Sequence, residues 1–504
     1  MKKLLSVCFV FVIVFVACSN NDIMENMNDG KQAPVIYEDD FYLKKNFGFA
    51  LAKMMEDNVS ARKFIKEEAL RMFNNDYDIL YHLVKDKKLE NGTTFREALL
   101  KFYEDKDELF ALERKFPLLT IFIPELPENS FSANIWDIEM EIPMVALLST
   151  RTNNIPILNA KGEEFILESQ YIPAFPIIVL KDNERVTVKT NISASNTSNV
   201  LKSTNGDLEF AFLDKCFDNT QQDKRVKSQL SNPDPTRLVA DTKVAKAYDI
   251  YKTSDGWQRD YIYYDITPGI PRGQFKYDYM EYITTFKLLG DGRAAYNRIA
   301  DQTDPNFRER YIAIFQSAWT EGYFEFKIRV LVNASNGIGS EIIKYYSANP
   351  NDLFELEYEL NNKIMPKRYE LKRVSLKMTE ISIPLINWDL YQYASSIKIA
   401  IEEVDRTEIT EITDTRQVKY AANFEISSTT KLMEKVGLKF GSTAERTTTE
   451  TIKKTYTEGN DELGDVIVNF ADHVIVSFAN QTLPKYRKYS SGWYEIEVRP
   501  IRVQ

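Results

Sequence analysis

Histidine occurs twice in 504 residues, at His82 and His473, and cysteine three times, at Cys8, Cys18 and Cys216. No His-Glu-x-x-His pair, Gly-x-Ser-x-Gly elbow, Walker loop or close cysteine pair is present. Zincin, serine-hydrolase, P-loop, zinc-ribbon and dithiol chemistry therefore have no motif to stand on. His82, within Tyr81-His82-Leu83-Val84, sits on an expected helix as a packing or surface residue. His473 has Asp472 beside it, but neighbours along a strand point to opposite faces, so the carboxylate is poorly placed to orient the ring. Beyond Val16 no apolar run approaches the roughly 20 residues of a membrane-crossing helix. Positive charge is also short: Lys and Arg number 64 against 74 Asp and Glu, a formal net charge of −10. Nucleic-acid affinity is built from Lys and Arg neutralising phosphates, so no nucleic-acid partner is expected. The short basic runs Lys85-Asp86-Lys87-Lys88 and Lys485-Tyr486-Arg487-Lys488 are expected as solvated faces.

What is present begins with the leader. Met1-Lys2-Lys3 is a basic start, Leu4 to Val16 is an apolar run of about 13 residues, and Ala17-Cys18-Ser19 closes it with small residues around a cysteine. The run is too short to span a bilayer and has the pattern of a cleaved secretory signal. Phe15-Val16-Ala17-Cys18 resembles the lipobox of bacterial lipoproteins, with Phe15 where leucine is usual. Ser19-Asn20-Asn21-Asp22 is similar to the mature ends of surface-displayed Bacteroidetes-type lipoproteins. The resemblance covers this segment alone. It implies that Cys18 carries the lipid, palmitate included, and that the protein is an outer-membrane lipoprotein exposed at the cell surface. Cys8 would leave with the leader, so Cys216 is the one thiol left and no intrachain disulfide forms. Stability must come from cores.

Periodicity divides the chain into an expected series: signal peptide 1–17, flexible tether 18–34, helical domain 35–116, small β domain 117–190, linker or surface insertion 191–255, mixed α/β region 256–370 and β-sandwich-like domain 371–504. The helical stretch carries Phe47, Leu51, Met54 and Met55 at i, i+4, i+7 and i+8, and Thr94-Phe95-Arg96-Glu97 has the form of a capping box. From Pro117 short apolar runs alternate with turn residues, Asn159-Ala160-Lys161-Gly162 among them. Asn336-Gly337-Ile338-Gly339-Ser340 lacks the third glycine of a phosphate cradle and is expected as a hairpin or loop turn. The alternation Val418, Tyr420, Ala422, Phe424, Ile426 marks a long strand, with Phe424 expected in a core. The fold class expected is α+β and multidomain: a small N-terminal helical bundle, a small antiparallel β unit and a β-rich C-terminal half.

Candidate binding groups are few. Trp257, Trp388 and Trp493 lie in loop-like settings beside Asp, Asn, Ser and Gly, where an indole can stack on a sugar face while neighbouring polar groups meet its hydroxyls. Two acidic clusters, represented by Glu402 with Asp405 and by Asp461 with Asp465, have the ligand type that calcium prefers but not the EF-hand spacing. The expected role is binding, of glycan or of another surface partner, with the lipid as the link to the membrane. The two rival readings are a hydrolase working through carboxylates alone, glycosidase-like, and a β-pore-forming protein suggested by the alternating segment and its Thr-rich sequel. Binding is preferred to catalysis because no nucleophile–base pair is apparent.

Stable anchoring needs more than one acyl chain, which a multiply acylated cysteine provides. The wild-type protein should take up metabolic lipid label and fractionate with membranes, and Cys18→Ala should do neither. Undiminished label on the variant would refute the assignment.

Overall fold

The computed structural model describes residues 40–503 apart from 149–153, 190–199, 220–240, 301–317, 321, 334–338, 364, 405–408, 422–437, 440–444, 458–460 and 481–482. Cys18, Asp405 and Phe424 lie outside the described residues. The fold is α+β, β-rich and multidomain, with helices concentrated towards the N-terminus and antiparallel pairing dominant.

The expected helical stripe forms Asp40–Asp57, and Phe47, Leu51, Met54 and Met55 on it are fully buried. Asn58 caps the next helix, Val59–Leu70, by accepting the Ala61 N–H. Thr94 and Glu97 close the expected capping box, with Glu97 N–H to Thr94 Oγ1 at 3.1 Å and Thr94 N–H to Glu97 Oε2 at 2.8 Å. The first helix lies on a six-stranded sheet ordered Asp78–Leu80, Leu119–Phe122, Ile177–Asp182, Met144–Leu147, Ile155–Leu158, Glu164–Leu167. Gly48 makes the approach close: a Cβ there would stand 2.7 Å from Leu158 Cδ1 and 3.1 Å from Leu147 Cδ2. Asn159–Gly162 is the turn between the paired strands Ile155–Leu158 and Glu164–Leu167, as expected. Within 191–255 the chain is not featureless. Val200–Lys202 and Glu209–Phe212 pair in a three-stranded sheet with Val186–Val188, and Thr242–Tyr251 is helical.

The C-terminal part is a sandwich. Its central sheet runs Ile409–Ala421, Glu445–Thr457, Gly339–Ala348, Phe324–Asn333, Ser396–Glu403, Asp461–Asn469. Its covering sheet runs Met378–Pro384, Tyr279–Leu288, Tyr494–Arg502, Lys488–Ser490. The sandwich thus takes strands from 256–370 as well as 371–504, because periodicity reports that a strand exists and not which strand it pairs with. Residues 334–338 join the antiparallel strands Phe324–Asn333 and Gly339–Ala348, the context expected of a hairpin connection. Between the sheets Phe326, Ile328 and Val330 meet Ile397, Ile399, Phe286 and Ile496, with the Phe286 and Phe326 rings 5.0 Å apart. Tyr494 reaches across and donates its hydroxyl to Ile399 O at 3.1 Å.

The other face of Phe324–Asn333 is charged and still buried. Glu325, Lys327 and Arg329 are each at most 5% exposed. Glu402 answers Arg329 at 2.8 Å and Lys327 at 3.3 Å, while Arg185 brings its guanidinium to Glu325 from outside the sandwich.

His82 is buried against Tyr81 and Phe210, and neither ring nitrogen has a hydrogen-bond partner among the described residues. Burial, with the Lys85 ammonium nearby, lowers its pKa from 6.5 to about 4. A depressed histidine pKa means stability that is complete above 6.5 and lost as pH falls towards 4. The loss at pH 4 is about 3 kcal/mol. Urea denaturation of wild type and His82→Leu at pH 7 and pH 4 checks this: the wild type should lose about 3 kcal/mol relative to the variant on acidification. Parallel losses would place the acid sensitivity elsewhere.

Candidate functional site

Asp461–Asn469 is an edge strand of the central sheet and Lys488–Ser490 an edge strand of the covering sheet. Where these edges approach, Asp465, Val466, Ile467, Asn469, Asp472, Arg487, Lys488, Tyr489 and Ser490 line an open cleft of about 450 Å³. Arg487 and Lys488, from the run Lys485–Lys488 expected as a solvated face, line one side of it.

The helix Gln258–Tyr264 positions the segment after Asn469. Gln258 is buried; its Oε1 accepts the Val474 and Ile475 N–H groups at 2.9 Å each, and its Nε2 donates to Ile475 O at 2.9 Å. Arg259, fully buried, is held by Glu281 at 2.7 Å and donates to Asp472 O at 2.8 Å. Asp472 spends Oδ2 on the Asn469 N–H at 2.8 Å and the Tyr489 hydroxyl at 3.1 Å. Burial holds the Tyr489 hydroxyl above its ordinary range, so it stays protonated and donates. His473 is oriented by Gln258, 3.2 Å from its Nδ1, and not by Asp472. Neither Gln258 nor Arg259 was legible as a site residue, because each acts on a segment more than 200 residues away.

The three tryptophans separate. Trp388 is fully buried, donates its indole N–H to Ala394 O at 2.9 Å, and has the Arg259 guanidinium 5.2 Å over its ring and Phe470 5.5 Å away at its edge. It is a core residue, which corrects the expectation of a surface platform there. Trp257 is half-buried, edge-on to Phe470 at 5.8 Å, and precedes the Gln258 helix. Trp493 is 42% exposed. It sits on a turn that Gly492 makes with a φ of +97°, a conformation costly for residues with a Cβ. Ser491 Oγ accepts the Trp493 N–H at 3.2 Å and donates to Leu463 O at 2.7 Å, which ties the turn to the edge strand. Arg298 covers one side of the indole, 4.0 Å from its centroid, and donates to Glu462 O at 2.5 Å. Trp493 therefore stands beside Glu462–Gly464, and the cleft begins at Asp465 on the same strand. At about 3.3 Å per residue the two are on the order of 10 Å apart.

The two acidic clusters are brought together. Strand register sets Glu402 opposite Glu462, Glu403 opposite Asp461 and Ala400 opposite Asp465. Glu402 is nevertheless committed to Arg329 and Lys327, and Asp465 to Lys398 at 2.5 Å. Among the described residues no group of three or more His, Cys, Asp or Glu is arranged to hold a metal ion.

No family model, curated protein or solved structure matches the chain.

Gln258→Leu would leave two buried backbone N–H groups without acceptors, each costing about 1–3 kcal/mol. The variant should lose about 2–4 kcal/mol in urea denaturation. A loss below about 0.5 kcal/mol, the size of an ordinary surface substitution, would show that this side chain does not hold the cleft wall.

Proposed function

We propose that the protein is a lipid-anchored surface protein of the cell envelope whose sandwich domain binds glycan at Trp493 and the adjoining cleft. The anchor rests on Cys18 and the leader before it. Among the described residues no helix is long and apolar enough to cross a membrane.

The observation that carries the binding reading is Trp493. A solvent-facing indole is apolar surface that a ligand can cover, and here the ring is backed by Arg298 and its backbone is tied to the turn through Ser491. An aromatic platform fixed in advance loses little entropy on binding. Beside it lies a cleft rich in hydroxyl, amide and charged groups, suited to the hydroxyls of a sugar, with Ile467 as exposed apolar floor. The cleft carboxylates also favour binding over acid–base catalysis: Asp465 is ion-paired with Lys398, and Asp472 accepts a backbone N–H and a phenol. Calcium, if bound, would draw on exposed Asp465 ahead of Glu402, whose carboxylate neutralises two buried cations.

Intrinsic tryptophan fluorescence titrated with a broad oligosaccharide panel tests the proposal. A binding glycan should perturb the wild-type signal, and Trp493→Ala should weaken its affinity about tenfold or more, as removal of an aromatic anchor does. Trp257→Phe should leave the affinity unchanged. No response across the panel, or an unaltered affinity in Trp493→Ala, would defeat it.

A further inference from the structure

We propose that the cleft selects an acidic glycan, one bearing a sugar carboxylate such as a uronate, and that Arg487 is the residue that recognises the charge. This rests on the glycan reading of Trp493 and adds to it the class of ligand.

The charges around the cleft fall into three pairs, of which Asp472–Arg487 is the loosest. Lys398 neutralises Asp465 at 2.5 Å, and Lys488 reaches Glu495 at 2.6 Å. Asp472 gives Oδ2 to the Tyr489 hydroxyl and the Asn469 N–H, and its Oδ1 stands 3.6 Å from Arg487 Nη2. That separation is a Coulombic contact, longer than a hydrogen bond. The Arg487 side chain, 42% exposed, makes no hydrogen bond to the described residues, so its five N–H donors are open to solvent or to a ligand. Its backbone is fixed, because the Arg487 N–H donates to Val474 O at 3.0 Å on the segment that Gln258 holds. The Tyr489 ring, 5.6 Å from the guanidinium carbon, and the loose contact with Asp472 limit where the fork can point.

A planar fork of unused donors fits a carboxylate, which it can meet with two parallel hydrogen bonds. Neutral hydroxyls satisfy such a fork less well, since hydrogen bonds to charged acceptors are about twice as strong as neutral ones. Arg487 immediately precedes the strand Lys488–Ser490, and Trp493 lies three residues beyond its end, on the turn that follows. A chain of sugars lying along this edge would meet the indole with a ring face and the guanidinium with a carboxylate.

Isothermal titration with oligogalacturonate and its methyl ester, in which each carboxylate is replaced by a neutral ester, together with a glucuronate-containing and a sialylated oligosaccharide and their neutral parents, tests this. At least one acidic member should bind about tenfold more tightly than its neutral counterpart. The advantage should shrink with added salt and vanish in Arg487→Gln, while Arg487→Lys keeps part of it. Arg487 is partly exposed, and an unchanged thermal midpoint verifies that the variants fold. Equal binding of acidic and neutral members, with both lost in Trp493→Ala, overturns the acidic-glycan proposal and leaves the glycan reading standing. A preference that survives Arg487→Gln overturns the role of Arg487. Failure of every acidic and neutral member overturns both readings.

Discussion

Arg185 is the residue on which the arrangement of the N-terminal sheets against the sandwich depends. It is fully buried, and its guanidinium donates to Glu325 on the central strand, to Asn74 O at 3.0 Å, to Asp76 at 3.2 Å and to Ser347 at 3.2 Å. Asp76 in turn accepts the Tyr323 N–H at 3.3 Å, and a Cβ at Gly322 would fall 2.4 Å from its carboxylate. One cation thus ties a loop after the second helix to two strands of the central sheet. Desolvating such a charge costs several kcal/mol, and the partners must return it through good geometry. Truncating one member of a buried pair costs about 3–5 kcal/mol, because the charge left behind has no water to turn to.

The same seam holds more carboxylates than cations. Asp76, Asp78, Glu184 and Glu325 surround Lys181 and Arg185. Burial pushes Glu325 up to about 8 and Glu184 up to about 7, against the pull of Arg185 and Lys181, and it raises Asp76 as well. The seam therefore takes up protons at a higher pH than four exposed carboxylates would, which relieves their repulsion in a dry space. These raised pKa values stabilise the fold at low pH and lose their effect as pH climbs through 7 and 8, the opposite direction to His82.

Much of this fold could be read from residues because one face of each element is apolar. The helix Asp40–Asp57, the capping box at Thr94 and the strands around Asn159–Gly162 obey local rules and stand where periodicity put them. Phe324–Asn333 shows where such rules end. Its apolar positions predict a strand, yet its alternate positions are Glu325, Lys327 and Arg329, which a pattern reading would send to solvent. They are buried because their partners, Arg185 and Glu402, come from elsewhere in the chain, and pairing of that range leaves no local trace. Trp388 fails in the same way: Asn387 and Asp389 on either side have the look of a surface loop, while Arg259 and Phe470 close over the ring. For the candidate site, Trp493 and Asp465 were visible as residue types, whereas the cleft that Asp465 lines exists only because two sheets end side by side.

The long strand pair at the other edge of the central sheet bears on the pore-forming alternative. Its register sets Ile412 opposite Lys454, Asp414 opposite Ile452, Arg416 opposite Glu450 and Tyr420 opposite Arg446 on one alternation. On the other it sets Glu411 opposite Thr455, Thr413 opposite Lys453 and Lys419 opposite Thr447. A membrane-crossing strand keeps one alternation apolar over about 9–11 residues, and a basic residue at the bilayer midplane costs roughly 2–4 kcal/mol. Both alternations carry charged residue types along their length, which counts against either as a lipid-facing surface. The composition suits an extension of the sandwich edge, on the side of the sheet away from Trp493 and its cleft.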